Sequence, residues 1–295
     1  MKYIITGSLG HISLPVVKSL LKAGHEVTVV SSNIDKKEEI EKLGAKAAVG
    51  SVSDQAFVSN AFLDAEVAYL MLPNDYAAPD YPALQRKVSD IYVQAIKQSH
   101  ITHVVLLSSI GAHLRHGAGP IDGLAYLEEK LLELTNVHTK FLRPSYFYSN
   151  LYAMTGMIKH AGIAGSNFGD TDEKLVLADT DDIAEEASKH LLNLFTGNSI
   201  NYIASDERHP NEIAEILGKS VGKENIPWVT FTDEQAVQGM LDAGLNAHWA
   251  NLYEQLNSSI RTGKLQEDYW KNRPETLGNY KLEDFAKDFA AAYEQ

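Results

Sequence analysis

The stretch Lys2-Tyr3-Ile4-Ile5-Thr6-Gly7-Ser8-Leu9-Gly10-His11-Ile12-Ser13 leaves the first part of this chain few ways to fold. A β-prone apolar run ends in two glycines three residues apart. It passes at once into a segment with Leu14, Val17 and Leu21 on one stripe and Val16 and Leu20 beside it. That is the period of a helix packed on a sheet, and Gly24 stops it. Strand, glycine turn and amphipathic helix in this order make the first βα unit of a doubly wound sheet.

The alternation continues along the chain. Short apolar or β-branched runs recur near residues 2–6, 26–31, 45–49, 67–72, 102–108 and 139–143, with helical stretches between them. Val104-Val105-Leu106-Leu107 and Val27 to Val30 are apolar almost without a break, as strands covered by helices on both faces must be. The fold class read from this is α/β: a doubly wound parallel Rossmann sheet with a smaller, mostly helical C-terminal subdomain. After residue 150 the rhythm changes to a glycine-rich loop from Gly162 to Gly169, a short strand near Lys174 to Leu177, a helix from Asp181 to Asn193, and then more helix than strand. Helices are expected over 246–262, striped by Trp249, Leu252, Tyr253, Leu256 and Ile260, and over 281–293, striped by Leu282, Phe285, Phe289 and Tyr293. Such stripes read first as core and second as a subunit interface, which leaves the oligomeric state open. No Pro- or Gly/Ser-rich linker and no repeat is present. The expected division is a nucleotide-binding core of residues 1–147 plus 175–206 and a substrate-side subdomain of 148–174 plus 207–295.

Composition removes several function classes. The 295 residues include no cysteine, so thiol nucleophiles, thiolate metal sites and CxxC redox chemistry are excluded, and redox work needs a borrowed cofactor. The apolar runs fall far short of the roughly 20 residues a bilayer demands, and no signal-peptide h-region is present. A soluble, cytoplasmic protein that binds no membrane is the expectation. A net charge of −13 repels phosphate backbones, so no nucleic-acid partner is expected. Acidity is densest from Asp170 to Glu186, which reads as a solvated helix start and loop. HExxH, GxxxxGK[ST] and GxSxG are absent. His100 with His103 and His113 with His116 lack carboxylates at ligand spacing, so they read as surface or satisfied histidines and no metal is expected.

The glycine turn itself carries chemistry. Gly7 can take a tight backbone conformation, Gly10 lets the main chain approach an anion, and the helix start offers free N–H groups and its positive dipole end. Gly7, Ser8, Leu9, Gly10, His11 and Ile12 are thus expected to hold a dinucleotide pyrophosphate, with the His11 side chain a bystander. Ser13 replaces the usual third glycine. Past strand two comes Ser31-Ser32-Asn33-Ile34-Asp35-Lys36-Lys37, with no acid at the strand end to hold a ribose 2′-OH. Ser32 and Asn33 can bond either ribose. Lys36 and Lys37 lie close enough to neutralise a 2′-phosphate, so NADP is preferred and NAD remains possible. Both lysines also fit the solvated start of helix two.

Further motifs extend the match. Gly50-Ser51-Val52-Ser53-Asp54, Leu70-Met71-Leu72-Pro73, Ser108-Ser109, Phe141-Leu142-Arg143-Pro144 with Phe147 and Asn150, and Asp182-Ile183-Ala184 follow the glycine turn in order. Together they resemble the NmrA-like branch of the atypical short-chain dehydrogenases/reductases, and Asn211 to Leu217 and Pro274 to Phe289 extend the likeness into the C-terminal part. The resemblance implies that the loops after Leu72, Ser109 and Arg143, including Pro73, Ser108, Pro144 and Ser145, line the nicotinamide side, with Ser51 and Val52 near the adenine. Ser51 stands where that family usually carries Asp. The expected substrate pocket is His113, Tyr146, Phe147 and Asn150; the aromatics there serve either as core or as a platform for a flat substrate.

Catalytic relatives use a Tyr-x-x-x-Lys pair, and Tyr126-Leu127-Glu128-Glu129-Lys130 imitates it. The apolar stripe of that helix is Leu124, Leu127, Leu131 and Leu134, which puts Tyr126 on the side of Glu129 and Glu133. Anchoring on Glu129, Leu132 and Arg143-Pro144 places the family's lysine slot at Ala125 and its tyrosine slot at Ile121. Neither can transfer a proton, so no catalytic residue is assigned. Two functions remain: an NAD(P)H-dependent reductase of a flat, electron-poor acceptor such as a quinone, working without a Tyr-Lys proton donor, or a non-catalytic NAD(P) sensor that binds a regulatory protein partner. An epimerase or dehydratase would require the Tyr-Lys machinery.

Overall fold

The computed structural model describes residues 1–169 and 174–294. In chain order it contains β1 (Lys2–Ile5), α1 (Ser13–Lys22), β2 (Glu26–Ser31), α2 (Lys37–Lys42), β3 (Lys46–Val49), α3 (Gln55–Phe62), β4 (Val67–Leu70), α4 (Tyr81–Lys97), β5 (His103–Leu107), α5 (Asp122–Leu132) and β6 (His138–Pro144). There follow β7 (Tyr146–Phe147), α6 (Thr155–Ala161), β8 (Ala164–Ser166), β9 (Leu175–Ala178), α7 (Thr180–Leu192) and β10 (Ser199–Ile203). The chain ends with β11 (Asp206–Arg208), α8 (Pro210–Ser220), β12 (Trp228–Thr230), α9 (Asp233–Asp242), α10 (Ala247–Arg261), α11 (Glu267–Lys271) and α12 (Leu282–Tyr293).

Among the described residues, seven strands form one parallel sheet in the order β10-β6-β5-β4-β1-β2-β3. β1 lies between β4 and β2, with Ile4 opposite Thr28 on β2 and Ala68 on β4. The winding reverses between β1 and β4, which opens a crevice at the carboxyl ends of those strands. The sheet is buried on both faces: Ile4, Val30, Ala68, Leu70, Val104 and Leu106 pack under α3, α4 and α5, while Tyr3, Ile5, Val29, Tyr69 and Val105 pack under α1 and α7. Continuous apolar strands are the sequence's answer to that double burial.

The helical C-terminal part encloses its own core, where Tyr148, Ile158, Phe168, Leu217, Ile260, Tyr269, Phe285 and Phe289 meet Ile110, Ile121 and Ala125 from the β5–α5 segment. Two expectations change. The loop from Gly162 to Gly169 contains a strand, β8, which pairs in parallel with β12; Ala-Gly-Ser has no β-branched residue to announce it, and pairing with Trp228–Thr230 creates it. The acidic segment is not wholly solvated either. Asp182 is buried, accepting hydrogen bonds from Ser205 Oγ at 2.5 Å and the Asn279 main chain at 3.1 Å, so it staples α7 to the exit of β10. Asp179 caps α7 through the Asp181 N–H at 2.7 Å. Asp170, Asp172 and Glu173 lie outside the described residues. No helix among the described residues is long and apolar enough to cross a membrane.

Candidate functional site

The turn after β1 is built for close approach. Gly7 has φ of +91°, and a Cβ there would stand 2.1 Å from Met71 Sδ and 2.9 Å from Ser13 Oγ, so only glycine fits. Ser8 also adopts a positive φ of 57°, held by its N–H on the Val30 carbonyl at 3.0 Å and its hydroxyl on Ser31 Oγ at 2.9 Å. Ser13 is buried at the third-glycine position and donates to the Thr6 carbonyl at 3.2 Å, tying the helix start to the strand end. Gly10 is exposed, and a Cβ on it would touch nothing but the Gly7 carbonyl oxygen, at 3.3 Å. The start of α1 has no side-chain cap and no acid in its first turn. That leaves its dipole end open to an anion.

Beside this turn lies a cleft of about 420 Å³ walled by Gly7, Ser8, Ser31, Ser32, Gly50, Ser51, Val52, Ser53, Met71 and Pro73, and closed by Asn74, Asp75, Leu84 and Tyr92. Of the residues expected from sequence, Gly7, Ser8, Ser32, Ser51, Val52 and Pro73 come together here. Sequence reasoning missed Val30, Ser31, Gly50, Ser53, Met71, Asn74, Asp75, Leu84 and Tyr92. The position of Asn74 and Asp75 directly after Pro73 at a strand end was the available signal for two of them. The walls mix serine hydroxyls with apolar Val30, Val52, Met71, Pro73 and Leu84; Asp75 is the carboxylate, and among the described residues no basic side chain lines the cleft.

Asn33, Lys36 and Lys37 stand outside that lining. Asn33 Oδ1 accepts from the Asp35 N–H at 2.8 Å, and the two lysines pair along their helix with Glu39 at 2.8 Å and Glu41 at 3.9 Å. Exposed pairs of this kind cost little to break, so either amine remains available to a phosphate.

The residues expected on the nicotinamide side fall at the ends of β4, β5 and β6. Leu72 is buried, and Pro73 and Ser109 are half-buried. Pro144 accepts the Ile110 N–H through its carbonyl at 2.9 Å. Ser145 is buried, and its hydroxyl has no hydrogen-bond partner among the described residues. Ser108 is committed: its hydroxyl donates to Glu128 Oε1 at 2.5 Å. That carboxylate also receives Arg143 in a bidentate pair, Nε to Oε1 at 3.0 Å and Nη2 to Oε2 at 2.6 Å. The remaining guanidinium nitrogen reaches Tyr202 Oη at 3.0 Å and Asp268 Oδ2 at 3.2 Å.

The network separates two neighbouring glutamates. Glu128, not Glu129, is buried against Arg143, while Glu129 turns outward to Arg115 at 2.9 Å. Glu128 follows Leu124 by four residues and precedes Leu131 by three, which puts it on the apolar stripe. Tyr126 donates its hydroxyl to Asp90 on α4 at 2.8 Å, and Lys130 pairs with Glu133 at 2.8 Å. Partial burial and the Asp90 carboxylate push the Tyr126 phenol above its ordinary pKa, opposite to what an activating lysine does.

Around the expected substrate pocket, Tyr148 is core, stacked on Phe285 at 5.3 Å. Tyr146 is half-buried, edge-on to Phe168 at 5.9 Å, with its phenol pushed up to about 12 by burial. Phe147 is half-buried against the α1–α7 side of the sheet, and Asn150 is exposed. His113 is half-buried, its ring enclosed beside the Lys264 main chain, and burial lowers its pKa. Among the described residues no group of three or more His, Asp or Glu is placed to hold a metal ion.

A doubly wound nucleotide-fold protein with a glycine turn at its switch point and a helical cap is what this geometry defines. The chain belongs to the NmrA-like family, whose model matches residues 2–258. No curated protein in the comparison matches it. Among solved structures, it is similar to the NADPH-dependent quinone oxidoreductase of Escherichia coli complexed with NADPH, at 18% identity over 97% of this chain and 99% of that one, TM-score 0.82. It is also similar to the triphenylmethane reductase of Citrobacter sp. complexed with NADP(H), at 18% identity over 98% and 99%, TM-score 0.79. A third similar structure is a nucleoside-diphosphate-sugar epimerase of Staphylococcus aureus, at 14% identity over 97% and 100%, TM-score 0.76. At these identities the likeness establishes the fold.

Proposed function

We propose that the protein is an NAD(P)H-dependent reductase of a flat, electron-poor acceptor such as a quinone. The observation that carries this reading is the glycine turn with its uncapped helix start beside a cleft with serines on its walls, a cradle of the kind that takes a dinucleotide pyrophosphate. Gly7 to Ile12 would hold the pyrophosphate, Ser31, Ser32, Ser51 and Ser53 the adenosine end, and Ser109, Pro144 and Ser145 the nicotinamide side. The bound dinucleotide supplies a hydride; the protein supplies position and dryness. The unpartnered Ser145 hydroxyl and the Tyr146–Phe168 edge support a polar group and a flat ring meeting at this end. The similar reductases complexed with NADPH and NADP(H) support NADP as the cofactor, with NAD as the alternative. We also keep the division into a nucleotide core of 1–147 plus 175–206 and a substrate-side part of 148–174 plus 207–295.

The test is to titrate purified protein with NADPH and NADH by calorimetry, then add a quinone panel and follow absorbance at the nicotinamide band. Binding followed by quinone-dependent oxidation is expected. Binding without turnover across acceptors favours the NAD(P)-sensing reading with a protein partner, and no binding overturns both.

Two further results follow from the geometry. Tyr126→Phe is expected to leave NADPH-dependent turnover nearly unchanged, because its hydroxyl is spent on Asp90. A positioned proton donor is worth about 10²- to 10⁴-fold in rate, and a loss of that size in a folded variant would restore the epimerase or conventional-reductase reading. The double change Lys36→Ala with Lys37→Ala is expected to weaken NADPH more than NADH by about 1.5 kcal/mol, the lower end for charged hydrogen bonds because both amines are exposed. Equal affinities in parallel calorimetry would return both lysines to the helix surface.

A further inference from the structure

The loop from Met71 to Asp80 faces two ways. On one side Met71, Pro73, Asn74 and Asp75 wall the cleft. On the other it is bolted to α10. Tyr76 Oη meets Tyr253 Oη at 2.9 Å, and Asn246 Nδ2 donates to the Tyr76 carbonyl at 3.0 Å. The Tyr76 ring lies 4.5 Å from that of Trp249. Just beyond the loop, the Tyr81 ring lies 4.3 Å from Trp249 on another side, and the Tyr81 N–H donates to His248 Nε2 at 3.1 Å.

Two residues belong to both sides. Asn74 lines the cleft and accepts the Tyr81 hydroxyl at 2.9 Å. Leu84 lines the cleft and packs on the cluster of Ala78, Tyr81, Trp249 and Leu252. The turn between the two sides is closed on itself, since Asp75 accepts from the Ala77 N–H at 2.9 Å and its carbonyl from the Ala78 N–H at 3.2 Å. A displacement of Pro73–Asp75 is therefore carried to Tyr76 instead of being absorbed. The far side of α10 presses on the β5–α5 segment: a Cβ on Gly119 would stand 2.0 Å from the Leu252 carbonyl oxygen.

We propose that this loop is a latch that couples nucleotide occupancy of the cleft to the seating of α10, with Tyr253 its positioning residue. The inference rests on the nucleotide-binding reading above. Nucleotide against Pro73–Asp75 fixes Tyr76; the Tyr76–Tyr253 bond and the Trp249 stack then hold α10 down over the β5–α5 segment. Linkage makes the effect reciprocal, so loosening the latch weakens the nucleotide from outside its cleft.

The test uses the full chain with NADPH. Hydrogen exchange of amides 73–80 and 247–261 is measured with and without NADPH, in the wild type, Tyr253→Phe, Tyr76→Phe and the double variant. Tyr253→Phe keeps the ring and removes the hydroxyl alone. In the wild type NADPH is expected to slow exchange in both segments. In Tyr253→Phe the 73–80 protection stays, the NADPH-dependent protection of 247–261 falls about three- to tenfold, as expected for one lost hydrogen bond, and NADPH affinity falls with it. The double variant is expected to match either single one, since both remove the same bond. A purely structural bond would speed α10 exchange equally with and without NADPH, and that result overturns the latch. NADPH binding with no change in α10 exchange overturns it as well and leaves the nucleotide site standing. No NADPH binding by calorimetry overturns both.

Discussion

Glu128→Ala is expected to lower the free energy of unfolding by about 3 to 5 kcal/mol, the cost of leaving one half of a buried ion pair unpartnered. Arg143 and Glu128 side chains are 6% and 7% exposed, so water cannot replace the lost carboxylate. The guanidinium would keep Tyr202 and Asp268, but the two bonds from Nε and Nη2 would vanish, together with the acceptor of the Ser108 hydroxyl. The desolvation of both ions was already a cost of folding. An apolar replacement of the pair, Glu128→Leu with Arg143→Met, is accordingly expected to recover most of the loss. Urea unfolding of the three proteins checks this: a Glu128→Ala loss below about 1 kcal/mol, the value of an exposed pair, would show that the carboxylate is hydrated. The network joins the ends of β5 and β6 to α5, β10 and α11, so the single variant is also expected to loosen the strand ends proposed for the nicotinamide.

That same network marks where the sequence was legible and where it was not. The six strands read from apolar runs lie within two residues of those observed, because burial on both faces leaves an unbroken apolar signature. The glycine turn was legible because strand, glycines and helical stripe are contiguous. Choosing between Glu128 and Glu129 depended on applying the stripe of Leu124, Leu127 and Leu131 to the carboxylates as well as to Tyr126; the information was local but concerned a charged residue on an apolar face, against the usual rule. The lip of the cleft was harder. Tyr76 meets Tyr253 across 177 residues, and no periodicity reports a contact at that separation. β8 was invisible for the related reason that its partner, not its composition, makes it a strand. For the site, the turn and the strand ends were readable, since a doubly wound sheet places ligands at its carboxyl edge. The serine walls contributed by Ser31 and Ser53 needed the pairing of β1 with β2 and of β2 with β3 to bring the ends of those strands to one cleft.

Gly10→Val is expected to remove measurable binding of NADPH and NADH while leaving the fold intact. Position 10 separates the two effects better than position 7. At Gly7 the φ of +91° and the Met71 sulfur 2.1 Å from a would-be Cβ mean that any side chain strains the fold. At Gly10 a Cβ meets nothing but the Gly7 carbonyl oxygen, at 3.3 Å, and the residue is exposed. The added methyls must then occupy the space in front of the α1 start, where an approaching pyrophosphate would meet uncapped N–H groups. Losing two charge-assisted hydrogen bonds at about 1.5 to 3 kcal/mol each amounts to at least roughly a hundredfold in affinity. Gly10→Ala, with one carbon instead of three, is expected to fall between the wild type and Gly10→Val. Calorimetric titration beside a thermal melt decides the matter. Unchanged NADPH affinity in a Gly10→Val protein that melts like the wild type would end the assignment of this turn to a pyrophosphate, and with it the placement of the adenosine end along Ser31, Ser32, Ser51 and Ser53.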